Sequence, residues 1–97
     1  MRLLVHPAAR HELAGALAWS HEHFGRRTAE RLLSRFDKAG GLLLRQPDLG
    51  APAVEGARKL PLGRFPYTLV YRVQADDVVV LALAHQSRKP GYWRSRR

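Results

Sequence analysis

Cysteine is absent from this sequence, and acidic residues are scarce in it. Without a thiol the chain forms neither disulfides nor thiolate metal sites, which is typical of proteins in a reducing compartment. Its apolar runs are too short to span a bilayer, and Pro7 and His11 interrupt the N-terminal apolar stretch before it resembles a signal peptide. A glycine-rich phosphate loop is also missing. These absences predict a cytoplasmic protein with no membrane partner.

Positive charge is in excess along the whole chain. The 97 residues include 17 Lys and Arg but only 8 Asp and Glu, so the net charge is +9 and the pI is near 11.3. Residues 1–50 carry eight basic and five acidic side chains, giving +3, whereas residues 51–97 carry nine and three, giving +6. A surface of this kind attracts nucleic acid, acidic proteins or anionic lipid. The alternative is that the charge serves only to keep the protein soluble.

The first half of the chain has helical periodicity. After a short strand, "RLLVH", apolar residues recur at helical spacing up to Gly25, which ends the first helix. Thr28 is the expected N-cap of a second helix. Gly40 and Gly41 weaken that helix by about 1 kcal/mol each relative to alanine, so we expect it either to bend or to end there and to resume before Pro47. The predicted apolar stripes contain Ala9, Leu13, Ala16, Leu17 and Phe24 in the first helix, and Ala29, Leu32, Leu33, Phe36 and Leu43 in the second.

The second half alternates with a period of two, as in strands. "ARKLPL" predicts a short edge strand, "RFPYTLVYRV" an alternating strand and "VVVLALAH" a central strand buried on both faces. The element order is therefore β-α-α-β-β-β in a single α+β domain, residues 1–97. We expect a helical hairpin on one face of a small, mainly antiparallel sheet, with the other face partly open. A basic tail of about residues 88–97 follows.

Several short motifs resemble the RelE/ParE superfamily of toxins from type II toxin–antitoxin systems. The opening "VHPAARHELAGALAW" is similar to the family's first strand and helix, and "QPDLG" resembles the loop after its second helix. The more specific motifs are Phe65-Pro66-Tyr67, Tyr71-Arg72, and His85 followed by Arg88, Pro90, Tyr92 and Trp93. The closer likeness is to ParE, the plasmid-stabilisation branch.

The resemblance implies a function and a set of partners. The ParE branch is described as inhibiting DNA gyrase, whereas the RelE branch cleaves mRNA on the ribosome. Some RelE proteins use a His-Tyr pair near the C-terminus, but here His85 is followed by Gln86. In both branches a cognate antitoxin, often acidic, covers the toxin in a hetero-oligomeric complex. We therefore expect a ParE-like toxin; the alternative is a ribosome-dependent mRNA endonuclease.

The endonuclease alternative requires a base for the 2′-hydroxyl, cations for the phosphorane charge and an acid for the leaving oxygen. A histidine can act as the base, arginines hold phosphate through paired hydrogen bonds, and a tyrosine stacks on a base or donates a proton. In the competing interpretation, the same residues form only structural hydrogen bonds and ion pairs. The candidate catalytic residues are His85, Arg64, Arg72, Arg88 and Tyr92.

A second group of residues is expected to contact the target or the antitoxin: Arg58, Lys59, Lys89, Trp93, Arg94 and Trp19. For Trp19 and Trp93, packing in the core is the alternative. The tail is either a solvated end, a phosphate- or acid-binding segment, or a segment docked on the sheet through Tyr92 and Trp93. We favour docking with Arg94–Arg97 left free, because two bare rings would form an adhesive patch. His21 and His23 do not share a helix face, so no metal or cofactor is expected.

Overall fold

The computed structural model describes residues Met1–Arg97 as two helices packed on a five-stranded sheet. The predicted α+β order is confirmed, with one addition, a two-residue strand after the second helix. The elements are β1 (Arg2–Val5), α1 (Pro7–Phe24), α2 (Arg26–Arg45), β2 (Ala51–Pro52), a 3-10 turn (Val54–Gly56), β3 (Arg58–Pro61), β4 (Tyr67–Gln74) and β5 (Asp77–His85). Neither helix is long and apolar enough to cross a membrane.

The sheet is mixed, with β5 near its middle. The strand order is β1-β5-β4-β3-β2; β1 runs parallel to β5, and the other neighbours are antiparallel. The parallel pair arises because the helical hairpin returns the chain over one face between β1 and the later strands. β1 pairs only with residues 77–80, so the second half of β5 has no strand beside it on that edge.

Gly25 joins the two helices. Its φ of 91° lies in the region that favours glycine, and it is both the C-cap of α1 and the N-cap of α2. The prediction of Thr28 as N-cap is therefore wrong, because α2 begins two residues earlier. Instead, the Thr28 hydroxyl donates to the Phe24 carbonyl at 3.4 Å and links the end of α1 to the first turn of α2.

The two adjacent glycines do not interrupt α2, which is continuous to Arg45. Gly40 lies directly under Leu3 of β1, and a Cβ at this position would come within 2.6 Å of Leu3 Cδ2. Glycine thus costs helix propensity but permits close packing of helix and sheet. The expectation that the helix ends at Gly40 is wrong for this reason.

The main core lies between the helices and the sheet. Ala9 and Ala16 of α1, and Leu32, Phe36 and Leu43 of α2, are buried there against alternate residues of β4 and β5. Two members of the predicted stripes lie outside it, since Phe24 is 65% exposed and Leu33 is 40% exposed. Phe24 is the last residue of α1.

Tyr71 fixes the loop that follows α2. Its ring is fully buried in the main core, and its hydroxyl donates to the Pro47 carbonyl at 2.6 Å and accepts from the Gly50 N–H at 2.8 Å. A Cβ at Gly50 would collide with the Tyr71 ring at 2.7 Å. This contact brings β2 alongside β3.

The opposite face of the sheet is covered by the C-terminal segment. Trp93 is 2% exposed and packs on Ala57, Val70, Leu81 and Ala82. A β-bulge opposite Val70 and Tyr71 turns the consecutive residues Leu81 and Ala82 to this same face. The expectation of docking is thus met for Trp93, but the expectation that all of Arg94–Arg97 is free is wrong, because Arg96 is held by α1.

Replacement of Trp93 by alanine is expected to destabilise the protein by about 3–5 kcal/mol, because it empties the centre of the second core. Trp19→Ala is the matched control. Trp19 is 50% exposed, so its removal should cost far less. The measurement is urea unfolding of both variants and the parent protein; equal midpoints for the Trp93 variant and the parent would contradict the docking.

Candidate functional site

An exposed groove lies where the end of α1, the start of α2, the β3–β4 turn and the end of β5 meet. Its volume is about 690 Å³, and we call it the aromatic groove; its lining residues are Trp19, Ser20, Phe24, Thr28, Arg64, Phe65, Pro66, Tyr67, His85 and Ser87. Trp19 is 50% exposed and Phe24 is 65% exposed. Aromatic side chains of this kind carry much of the energy of protein interfaces, which makes the groove the first candidate for partner binding.

The rings of the groove are ordered by contacts among themselves. Trp19 stacks on His23, with centroids 4.0 Å apart and planes 16° apart, and meets Phe24 edge to face at 5.5 Å. His23 Nδ1 lies 2.9 Å from the Trp19 carbonyl oxygen, which fixes the imidazole beneath the indole. On the opposite wall, Tyr67 and His85 meet edge to face at 5.2 Å.

His85 lies on the groove wall, but its Nδ1 is occupied. Nδ1 accepts a hydrogen bond from the Ser87 N–H at 3.0 Å and lies 2.7 Å from the Ser87 hydroxyl oxygen. These contacts close the turn after β5. Of the other predicted catalytic residues, only Arg64 shares this groove with His85.

Tyr92 lines a cavity of about 160 Å³ with His85 and Arg88, and its hydroxyl is engaged. That hydroxyl donates to Glu12 Oε2 at 2.7 Å, and the Arg88 guanidinium lies 3.9 Å above the ring centroid. Burial, followed by the hydrogen bond to Glu12, raises the pKa of Tyr92 to about 12. A phenol in this state is a poor proton donor at neutral pH. Arg88 is in turn drawn toward the ring by a cation–π contact.

Arg72 is remote from His85. On β4 it pairs with Val79, whereas His85 pairs with Tyr67, so five residues or about 17 Å of strand separate them. Arg72 lines a separate cavity of about 370 Å³ with Glu55, Gln74, Arg94 and Arg97, and its buried Nε has no hydrogen-bond partner. The structure therefore brings His85 together with Arg64 in the aromatic groove and with Arg88 and Tyr92 in a second cavity, whereas Arg72 lies apart from them.

The predicted contact residues are spread around the sheet. Arg58 donates to the Asp48 and Gly50 carbonyls at 3.2 and 2.7 Å and so stabilises the loop before β2. Trp93 is buried, so its ring is inaccessible while the tail is docked. Lys59, Lys89 and Arg94 line shallow cavities beside the tail, and Trp19 lies in the aromatic groove. The structure contains no group of three or more metal-ligating side chains.

Glu12 of α1 is the centre of a polar network at the unpaired edge of β5. Its carboxylate accepts from Arg96 at 2.8 and 3.1 Å, from the Tyr92 hydroxyl at 2.7 Å and from the Leu83 N–H at 3.1 Å. Arg96 also donates to the Leu81 carbonyl at 3.0 Å. The pair thus satisfies backbone groups that lack a neighbouring strand. We call the side chains of Glu12, Tyr92 and Arg96 the Glu12 clamp.

The clamp keeps Glu12 ionised. Burial by itself would raise the pKa of Glu12, but the hydrogen bonds from Arg96, Tyr92 and the Leu83 N–H outweigh it and hold the pKa below its usual value. The Glu12 and Arg96 side chains are only 13% and 16% exposed, so solvent screens their attraction weakly. The C-terminal segment is therefore tied to α1 by a charged, multiply hydrogen-bonded contact.

Comparison with known proteins now identifies the family. The sequence matches the family described as the ParE toxin of the type II toxin–antitoxin system, parDE, over residues 3–90. This chain belongs to the ParE toxin family. Its fold is similar to a solved structure of the chromosomal ParDE TA system from P. aeruginosa, with a TM-score of 0.77 and 22% identity. That likeness covers 88% of this chain and 95% of the other. No curated protein sequence matches the chain significantly.

The match to the ParE family ends at residue 90, so Tyr92, Trp93 and Arg96 lie beyond it. In this ParE protein those residues complete the second core and the Glu12 clamp. Sequence reasoning placed Glu12 only among the family-like residues and gave it no role. One signal was available: Glu12 is one helical turn from both Ala9 and Ala16, which are buried, so its carboxylate required a partner.

Replacement of Glu12 by glutamine is expected to destabilise the protein at pH 7 by about 2 kcal/mol, because charge-assisted hydrogen bonds are lost. The pKa of Glu12 is lowered in the folded state, so its stabilising contribution is present above the unfolded pKa of about 4.3 and is lost as the pH falls through the folded value. The difference in the free energy of unfolding between the variant and the parent should therefore shrink in acid.

The measurement is urea unfolding of both proteins at pH 7 and at pH 3. Glu22→Gln is the control, since Glu22 is an exposed residue of the same helix and should show no such difference. A Glu12 variant that is as stable as the parent at pH 7 would contradict the role of the clamp.

Proposed function

We propose that this ParE-family chain is a growth-inhibiting toxin that acts by binding DNA gyrase and that a cognate antitoxin neutralises it. The observation that carries the proposal is the family match over residues 3–90. The P. aeruginosa relative is a component of a ParDE toxin–antitoxin system, which supports an antitoxin partner here. Gyrase is proposed as the target because the sequence motifs resemble the ParE branch more closely than the RelE branch.

The geometry favours action by binding over RNA cleavage. An endonuclease would need a base, an acid and cations around one phosphate. Here the Tyr92 hydroxyl is engaged by Glu12 and Arg72 lies about 17 Å of strand away from His85, although Ser87 engages only Nδ1 of the His85 ring. The RelE-like alternative retains two supporting observations: His85 lines the aromatic groove with Arg64, and it lines a second cavity with Arg88 and Tyr92.

We propose the aromatic groove as the docking site for the antitoxin. Trp19 and Phe24 offer apolar anchors in the groove, and Arg64 contributes a positive charge to its wall. The net charge of +9 favours an acidic partner. An antitoxin segment that presents an apolar residue between acidic ones fits this combination of rings and positive charge.

Purified protein is expected to inhibit supercoiling by gyrase and to leave mRNA intact in a translating extract. His85→Ala should retain inhibition within about twofold, because in this account the imidazole closes a turn and performs no chemistry. His11→Ala, which alters an exposed histidine of α1, is the matched control. If the parent protein and His11→Ala cleave mRNA but His85→Ala does not, the endonuclease alternative is established.

Trp19→Ala is expected to weaken antitoxin binding by at least tenfold, the usual effect of removing an aromatic anchor from an interface. Leu49→Ala is the control, since Leu49 is 42% exposed but lies outside the groove. Binding should also weaken as salt rises, because exposed charges are screened. Isothermal titration of the toxin with the product of the adjacent gene measures both effects. Equal affinities for the two variants would exclude the groove as the docking site.

A further inference from the structure

The outer face of α2 carries a row of cations that the proposed function does not use. Its members, which we call the α2 row, are Arg27, Arg31, Arg35, Lys38 and Arg45. At 3.6 residues per turn they fall within an arc of about 80°, and the 18 residues from first to last span about 27 Å. All five side chains are exposed, so the row is a continuous positive surface along the helix.

Helix surfaces usually alternate charges of both signs, because like charges one turn apart repel. The two acids nearest the row, Glu30 and Asp37, lie on a flank about 60° and 80° beyond its edge. Glu30 pairs with Arg26, which lies outside the row, at 3.3 Å. The four ion pairs of the structure include no member of the row. This arrangement opposes helix stability, so the row is not explained by stabilisation of α2 itself.

A second element adds to the row at its middle. Arg64, in the turn between β3 and β4, lines a cavity of about 510 Å³ together with Arg31, Ser34, Arg35, Lys38 and Phe65. Gly63, with φ of 65°, lies directly beneath Arg35, and a Cβ there would collide with its guanidinium. The turn thus brings Arg64 next to three cations of α2. Four positive side chains therefore converge on one open cavity with no acid in its wall.

We propose that the α2 row and Arg64 bind the sugar–phosphate backbone of a nucleic acid. Guanidinium groups match phosphate oxygens in bidentate geometry, and four of the five members of the row are arginines. A linear row of about 27 Å matches a chain of regularly spaced phosphates better than a single anion. Besides charge the cavity presents only Ser34 and Phe65, which favours contact with the backbone over recognition of particular bases.

An acidic protein is the competing class of partner, but the row offers such a protein no large apolar side chain to bind. The large exposed rings, Trp19 and Phe24, lie in the aromatic groove and not on the row. Protein interfaces depend on such apolar anchors, whereas non-specific nucleic-acid binding is supplied by charge alone. The inference stands independently of the gyrase target, because it concerns binding only.

The test is fluorescence anisotropy with a labelled 20-base-pair DNA duplex and with one of its single strands, each between 50 and 200 mM salt. If five phosphates are neutralised, the slope of log K against log salt is about −4.5 for the duplex. The variant R27Q/R31Q/R35Q should lose about 2.7 units of slope and more than tenfold in affinity. The slope per phosphate contact differs between duplex and single strand, so each form is compared with its own variants. The form that the protein binds with the higher affinity is the preferred one.

The matched control is R10Q/R26Q/R97Q, which removes the same charge from exposed positions outside the row. It should keep the slope within about one unit of the parent value. A further variant, R31K/R35K, preserves charge and fold and should retain the slope. Equal losses of slope and affinity in the two triple variants would show that DNA is attracted by the overall charge of the protein, and this would overturn the proposal. Binding of a polyglutamate peptide, but not of DNA, to the row would overturn it in favour of an acidic protein.

Discussion

The structure depends on one charged contact, between the Glu12 carboxylate of α1 and the Arg96 guanidinium near the C-terminus. β1 is too short to cover the whole of β5, so the Leu81 carbonyl and the Leu83 N–H face an edge without a strand. Arg96 and Glu12 supply these groups with partners, and Tyr92 adds a third hydrogen bond. Because the contact joins α1 to the last residues of the chain, it also holds Trp93 over the second face of the sheet.

The docked tail decides which surfaces remain for partners. With one face under the helices and much of the other under Trp93, the exposed functional surface moves to the ends and flanks of the helical hairpin. Two such surfaces result: the aromatic groove, which suits an apolar segment, and the α2 row, which suits phosphates. The aromatic groove and the cavity at the middle of the row share Arg64 and Phe65, so ligands of the two surfaces would lie side by side.

Periodicity and turn residues were sufficient to predict the element order and the helical hairpin, and the resemblance of short motifs to the RelE/ParE superfamily indicated the family. The errors came from tertiary contacts that local propensity does not encode. Gly40 remains helical because it fits beneath Leu3, and α2 starts at Arg26 because Gly25 adopts a positive φ. For the site, residue types alone grouped Arg72 with His85, although strand register separates them. The role of Glu12 depends on a residue 84 positions away, a distance that no local pattern spans.

The central claim is that this ParE-family chain acts on cells by binding a target and is controlled by an antitoxin. The most direct measurement is growth of cells that express the chain alone or together with its proposed antitoxin. The account predicts growth arrest in the first case and normal growth in the second. Normal growth in both cases, with the folded protein present at equal levels, would contradict it.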